Sequence, residues 1–160
     1  MSESNEIEIL SLRESEPNEE LRKGEIECSL GIDEAGRGPV LGPLVFGAAY
    51  WPNAEAEQLS QLGFADSKVL TEDKRDFLFH NIIRKQEASR IGWAVEVLMP
   101  EYLSACMLAL NKYNLNLISH DAAISLIRRV LKLGVKLSHV YLDTVGPPEV
   151  FVSLFILFYF

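Results

Sequence analysis

Apolar and polar positions alternate from residue 28 onward, and two β-rich segments stand out first. Cys28–Asp33 and Leu44–Trp51 read as strands, the second ended by Pro52. Between them, residues 34–43 contain Gly36, Gly38, Gly42, Pro39 and Pro43, which exclude regular structure. That link is too short for a crossover helix, so the two strands are predicted to be antiparallel neighbours. Thr71 is placed to cap a helix, with Glu72 and Asp73 in its first turn. Phe77, Leu78, Ile82 and Ile83 follow at helical spacing, and Arg84 and Lys85 lie near the end. Acids first and bases last match the helix dipole. Arg90–Leu98 reads as a third strand closed by Pro100, and a short helix follows around Glu101–Leu110. Ser119 is read as the cap of a longer helix with Ala123, Ile124, Ile127, Val130 and Leu131 on its apolar face, and Gly134 lies past its end. Leu137–Asp143 is the last strand, stopped by the breakers of residues 144–148. The order β-β-α-β-α-α-β predicts an α/β fold, a mixed central sheet flanked by helices.

Composition changes this picture little. The chain has 160 residues, 48% of them hydrophobic and 24% charged, which suits one globular domain able to bury a core. The formal charge of −8 argues weakly against nucleic-acid binding. The acids are unevenly placed, however: residues 1–27 hold nine glutamates against Arg13, Arg22 and Lys23. This stretch is expected to be a mobile acidic extension, with at most a short helix around Ile7–Arg13. Cys28 and Cys106 form no C-x-x-C pair and are expected to be buried, reduced thiols of an intracellular protein. The N-terminus has no secretory pattern. The apolar run at residues 150–160 is too short to span a bilayer, which takes about 20 residues.

Candidate chemistry gathers at strand ends. Asp33 and Glu34 close the first strand just before the glycine-rich turn, and Asp143 closes the last strand in the same way. Adjacent carboxylates share a metal only where the chain leaves the strand, because consecutive strand side chains point to opposite faces. If the first and last strands are neighbours, three carboxylates converge, an oxygen cluster suited to Mg²⁺ or Mn²⁺. For either position alone, a solvated strand end is the simpler account, and the joint pattern with the glycine loop favours the cluster. Gly36-Arg37-Gly38 offers backbone N–H groups beside a cation. It is no P-loop, since no Lys-Ser/Thr follows, and Gly42 falls one residue late for a dinucleotide fingerprint. A phosphate-binding module using this loop is the reading from a different functional class. By local pattern alone, Asp66-Ser67-Lys68 is a solvated turn. His80, His120 and His139 lack metal-ligand spacing and are read as structural.

Four motifs in order carry a resemblance. Gly31–Pro43 resembles the signature of the ribonuclease HII family, and its Val-Leu-Gly-Pro ending is similar to the archaeal and eukaryotic branch. Ala65–Lys68, Lys112–Asn116 and Leu142–Gly146 follow as they do in that family. The resemblance covers about Cys28–Glu149, and the acidic extension favours the eukaryotic catalytic subunit. It implies a ribonuclease H-like fold and an endonuclease that hydrolyses the RNA strand of RNA/DNA hybrids. It also implies cleavage 5′ to single ribonucleotides in duplex DNA, with 5′-phosphate and 3′-hydroxyl ends. Asp33, Glu34 and Asp143 match the ligands of two divalent ions, Mg²⁺ or Mn²⁺. Gly36, Arg37 and Gly38 match the motif that recognises the ribose 2′-hydroxyl. Ser67 and Lys68 match positions near the substrate backbone, with Lys68 as a phosphate contact, and Asn114 and Asn116 are further substrate-binding candidates.

The same resemblance implies work in the nucleus on ribonucleotides and RNA primers in DNA, and a heterotrimer with two accessory subunits. The chain departs from the family near Val150, where an aromatic-aliphatic run replaces further strands, helices, a fourth catalytic aspartate and a substrate-reading tyrosine. Such a run resembles translated non-coding sequence. The expected organisation is thus an acidic extension (1–27), the N-terminal part of the catalytic domain (28–149) and an aberrant tail (150–160). From that departure we expect a fold incomplete at its C-terminus, impaired assembly with the accessory subunits, and at most hybrid binding in place of cleavage.

Overall fold

The computed structural model describes residues 12–38, 42–65, 69–80, 90–109 and 113–142. Five strands form one mixed sheet: β1 (Leu12–Glu14), β2 (Glu27–Ala35), β3 (Leu44–Pro52), β4 (Gly92–Leu98) and β5 (Lys136–Leu142). Their order across the sheet is β1-β4-β3-β2-β5. The β1–β4, β4–β3 and β3–β2 ladders are antiparallel, as expected for β2 and β3, and β5 lies parallel to β2. The helices are α1 (Glu19–Arg22), α2 (Ala56–Ser60), α3 (Glu72–Leu78), α4 (Pro100–Leu108) and α5 (Leu115–Lys132). This is the mixed α/β architecture that the alternating pattern predicts.

Period-two burial in β3 makes the core. Leu44, Phe46, Ala48, Tyr50 and Pro52 are buried, while the residues between them are half-buried. The buried set faces α5, whose Ile118, Ala122, Ala123, Leu126, Ile127 and Val130 form the matching apolar stripe. Each fully buried Leu or Ile there stabilises the fold by about 1.5–3 kcal/mol. Gly92 has a packing role in β4, since a Cβ there would overlap the buried Tyr50 ring. At the far end of α5, Gly134 has φ +90° and lies so near Arg22 that a Cβ would overlap its carbonyl oxygen. A left-handed glycine ends the helix and lets β5 begin.

Two features away from the candidate site differ from the sequence reading. Part of the acidic stretch expected to be an extension is folded. Leu12–Glu14 adds an edge strand to β4, with Arg13 opposite Val95, and the Glu14 carboxylate pairs with Arg129 of α5. Leu21 of α1 is fully buried, and Arg90 bridges Glu20 (2.9 Å) and Glu55 (3.3 Å). One buried leucine and backbone pairing offset the repulsion among the acids. Residues 1–11 and the tail 150–160 lie outside the described residues. The second difference is the start of α5. Asn114 is the cap, its Oδ1 accepting the Leu117 N–H (3.0 Å). Ser119 sits inside the helix, where its hydroxyl donates back to the Leu115 carbonyl (2.8 Å).

Candidate active edge

Asp33 and Glu34 both lie on β2, which runs further than expected. Its ladder with β3 persists to Ala35, with Asp33 opposite Gly47, Glu34 opposite Phe46 and Ala35 opposite Val45. The chain therefore leaves the strand at Gly36 and not at Ala35, where the sequence pattern predicts the departure. Inside the ladder the two acids alternate between faces. Glu34 is half-buried and shares the parity of Leu30 and Ile32, which face α5. Asp33 is exposed on the opposite face, where it lines a cavity of about 1180 Å³ together with Gly47, Trp93, Val95 and Tyr141. One Asp33 oxygen, Oδ1, accepts the Glu34 N–H (2.8 Å).

β5 ends beside these acids. The parallel register sets Leu142, its last residue, opposite Ile32, the residue before Asp33. Asp143 follows Leu142 in the chain and lies outside the described residues, as do Ser67 and Lys68. As ligands, Asp33 and Glu34 fit a divalent ion in donor chemistry, since hard cations take oxygen, but on opposite faces of β2 they do not share one ion as the sequence pattern predicts. Among the described residues, no group of three His, Cys, Asp or Glu side chains converges as a metal site.

The glycine loop folds back on itself and onto α5. Gly36 has φ +83° and Gly38 φ +129°, and a Cβ on Gly36 would overlap the Pro43 carbonyl oxygen. Both the backbone angle and the close approach require glycine at residue 36. Arg37 does not extend from the loop into solvent. Its Nη2 donates to Asn116 Oδ1 (2.7 Å) and its Nη1 to Ser119 Oγ (3.1 Å), both in the first turns of α5.

The Lys112–Asn116 motif thereby gains a local explanation, with Lys112 itself outside the described residues. The Tyr113 hydroxyl hydrogen-bonds the Asp121 carboxylate within α5. Burial, reinforced by that bond, pushes the Tyr113 hydroxyl up to about 12. Asn114 caps α5, and Asn116 holds Arg37. The structure brings together Asp33, Glu34, Gly36, Arg37 and Gly38 on one loop and strand end, with Asn114 and Asn116 beside them. Ser119 is the member of this cluster that the sequence pattern assigns differently, as a helix cap. Its contact with Arg37 spans 82 residues, and no local pattern announces it.

His120 is buried in α5, while His80 and His139 are exposed, His139 stacking against Tyr141 with ring centroids 6.3 Å apart. Cys28 is buried and Cys106 half-buried, and both are free thiols.

Known proteins are similar to this chain in sequence and fold. The ribonuclease HII family pattern matches residues 30–153, from β2 to beyond β5. A ribonuclease H2 subunit from Arabidopsis thaliana is 56% identical over 122 residues, covering 76% of this chain and 40% of the relative. The corresponding ribonuclease H2 subunit of Bos taurus is 48% identical over 124 residues, covering 78% and 41%. The crystal structure of ribonuclease H2 from Pyrococcus horikoshii OT3 superposes with a TM-score of 0.62 at 30% identity. That match covers 79% of this chain and 55% of the other. The chain thus spans about 40% of the length of the curated relatives it matches. The family pattern spans most of the chain and these relatives agree with it, and this chain belongs to the ribonuclease HII family.

Proposed function

We propose that this chain carries the acidic edge of a ribonuclease H, and that Asp33, Glu34 and Asp143 are its ligands for two divalent ions, Mg²⁺ or Mn²⁺. One observation carries the reading: β2 and β5 are parallel neighbours, with Ile32 opposite Leu142, and an aspartate follows each of these in sequence. Parallel strands end at the same sheet edge, where ligands of α/β proteins collect. Divalent ions bound there supply Lewis acidity and a more acidic water for in-line attack on a phosphodiester. The carboxylates orient that attack, the P–O3′ bond breaks, and the products carry 5′-phosphate and 3′-hydroxyl ends. Gly36 and Gly38, free of side chains, let the loop approach a ribose closely enough for its N–H groups to meet the 2′-hydroxyl. Lys68 contacts a substrate phosphate, and Ser67 the neighbouring backbone.

The substrate is the RNA strand of an RNA/DNA hybrid, or a single ribonucleotide in duplex DNA. The corresponding work is primer and ribonucleotide removal in the nucleus. Assembly with two accessory subunits belongs to the same reading.

A second reading has its own support. Asp33 and Glu34 alternate between faces inside the β2 ladder, an arrangement that favours binding of hybrid without turnover. Purified chain, Mg²⁺ and a DNA duplex with one embedded ribonucleotide separate the two, with Asp143→Asn as control. Cleavage 5′ to the ribonucleotide, lost in the control, supports the enzyme. Binding without cleavage by the folded chain supports the second reading.

A further inference from the structure

We infer that Arg37 is a positioning residue, clamping the glycine loop to the first turns of α5 and leaving the substrate to the loop backbone. This rests on the proposed function for its consequence, though not for its geometry. A guanidinium is a planar fork of donors that spans two acceptors at once. Here the two terminal nitrogens go to two side chains three residues apart on α5, Asn116 Oδ1 at 2.7 Å and Ser119 Oγ at 3.1 Å.

Both acceptors are themselves held. The Ser119 hydroxyl gives its proton to the Leu115 carbonyl (2.8 Å), which turns its lone pairs to Arg37. Asn116 sits two residues past the Asn114 cap, at a helix end that the cap hydrogen bond fastens. The clamp is not there to stabilise the helix, because a cation at a helix N-terminus meets the positive end of the dipole.

The loop needs such a fastening. Gly36 and Gly38 flank Arg37 at positive φ, and glycine adopts many backbone conformations at little cost. Left alone, two such hinges just past Glu34 would let the backbone N–H groups wander relative to the acids. Close approach to the Pro43 carbonyl holds one side of the loop, and Arg37 holds the other. The chemistry needs the N–H groups of residues 36–38 in fixed register with Asp33. The discrimination of a ribose 2′-hydroxyl from hydrogen therefore passes through Arg37, Asn116 and Ser119, although none of their side chains touches the sugar.

The test uses the full chain and two readouts. The first is amide hydrogen exchange of residues 34–38 without nucleic acid. Arg37→Ala and the double variant Asn116→Ala/Ser119→Ala should each speed exchange there, and the triple variant should add nothing further. Unchanged exchange in either would overturn the clamp. The second is binding, by fluorescence anisotropy in Ca²⁺, of a duplex with one ribonucleotide against the all-DNA duplex. Loss of two charge-assisted hydrogen bonds that set the loop predicts about a tenfold fall in preference for the ribonucleotide. The same fall should occur in Arg37→Ala and in Asn116→Ala/Ser119→Ala, without additivity.

Arg37→Lys keeps the charge and cannot span both acceptors, so it should not rescue the preference. Rescue by lysine, with full binding by the Asn116/Ser119 variant, would make Arg37 a direct phosphate contact and overturn the proposal. If the parent chain binds neither duplex, the functional reading fails, and exchange alone decides the clamp.

Discussion

Glu96 illustrates how a single half-buried group imposes a pH dependence. It lies on the α5 side of β4, and its Oε2 is buried without a hydrogen-bond partner among the described residues. Burial raises its carboxyl above the ordinary range and Asp121 adds to the rise, while a bond to Ser125 and the charge of Arg129 oppose it. A carboxyl raised in the fold binds more protons folded than unfolded, so stability falls as pH climbs from the unfolded value through the raised one. Glu96→Gln should remove that loss. Thermal melts from about pH 4, near the ordinary carboxylate value, upward to about pH 8 should show the variant gaining on the parent as pH rises. A constant gap would contradict the assignment.

Cys28 is the second case. Burial, and to a lesser extent Glu55, pushes its thiol up to about 11, and it hydrogen-bonds weakly to the Ile26 carbonyl (3.6 Å). Because the thiolate is the nucleophile, titration with a disulfide reagent at about pH 8 should count one fast thiol, Cys106. Cys28 should react only on unfolding. Both cysteines are legible in sequence as unpaired thiols, whereas their unequal burial is a product of the fold: Cys28 sits inside the β2 ladder and Cys106 on α4 at the margin of the core.

At the scale of elements, period two and period 3.6 locate most of the structure. Strands with several alternations, such as β3, are readable because each repeats the same choice of face along its length. β1 has three residues and no room for alternation, and its existence depends on a partner strand far along the chain. The start of α5 departs from its sequence pattern for a different reason. Asn114 and Ser119 are both cap-forming residue types, and only the structure shows Ser119 spending its hydroxyl on Leu115 and Arg37. The capping bond is the smaller part of α5 stability, and it is separable from packing. Asn114→Ala should cost about 1 kcal/mol. For a chain of this size that lowers the melting temperature by about 2–4 °C. A shift several times larger would mean that Asn114 does more than cap. The end of β2 lies beyond its predicted position because Glu34-Ala35 continues a ladder that β3 dictates, not its own composition.

Across the whole molecule, the sheet has two unlike faces. One is filled by α5 and carries the core. The other holds the 1180 Å³ cavity, lined by Gly47, Val95, Trp93 and other apolar residues, with Asp33 at its rim. An apolar concavity of this size on an otherwise acidic chain predicts dye binding. The folded chain should enhance the fluorescence of anilinonaphthalene sulfonate, and a quencher such as acrylamide should reach Trp93. Absence of both effects would contradict an open apolar face. The motifs of the candidate site are legible at the level of residue type, because glycine at positive φ and acids at strand ends leave marks in sequence. Their assembly is not, since it is made by pairings between distant segments.

Those distances bear on the order in which the molecule takes shape. Ser138 of β5 hydrogen-bonds Cys28 of β2 across 110 residues, and Arg37 waits 79 residues for Asn116. Contacts so remote incur their loop-closure entropy before they return any stabilisation, and they slow folding. During synthesis β2 can pair with β3 as soon as the hairpin emerges, yet its other edge stays bare until β5 leaves the ribosome. Among the described strands the β2–β5 pairing is therefore the last to form, and until then a nascent chain exposes a bare edge of β2 beside the proposed ligands.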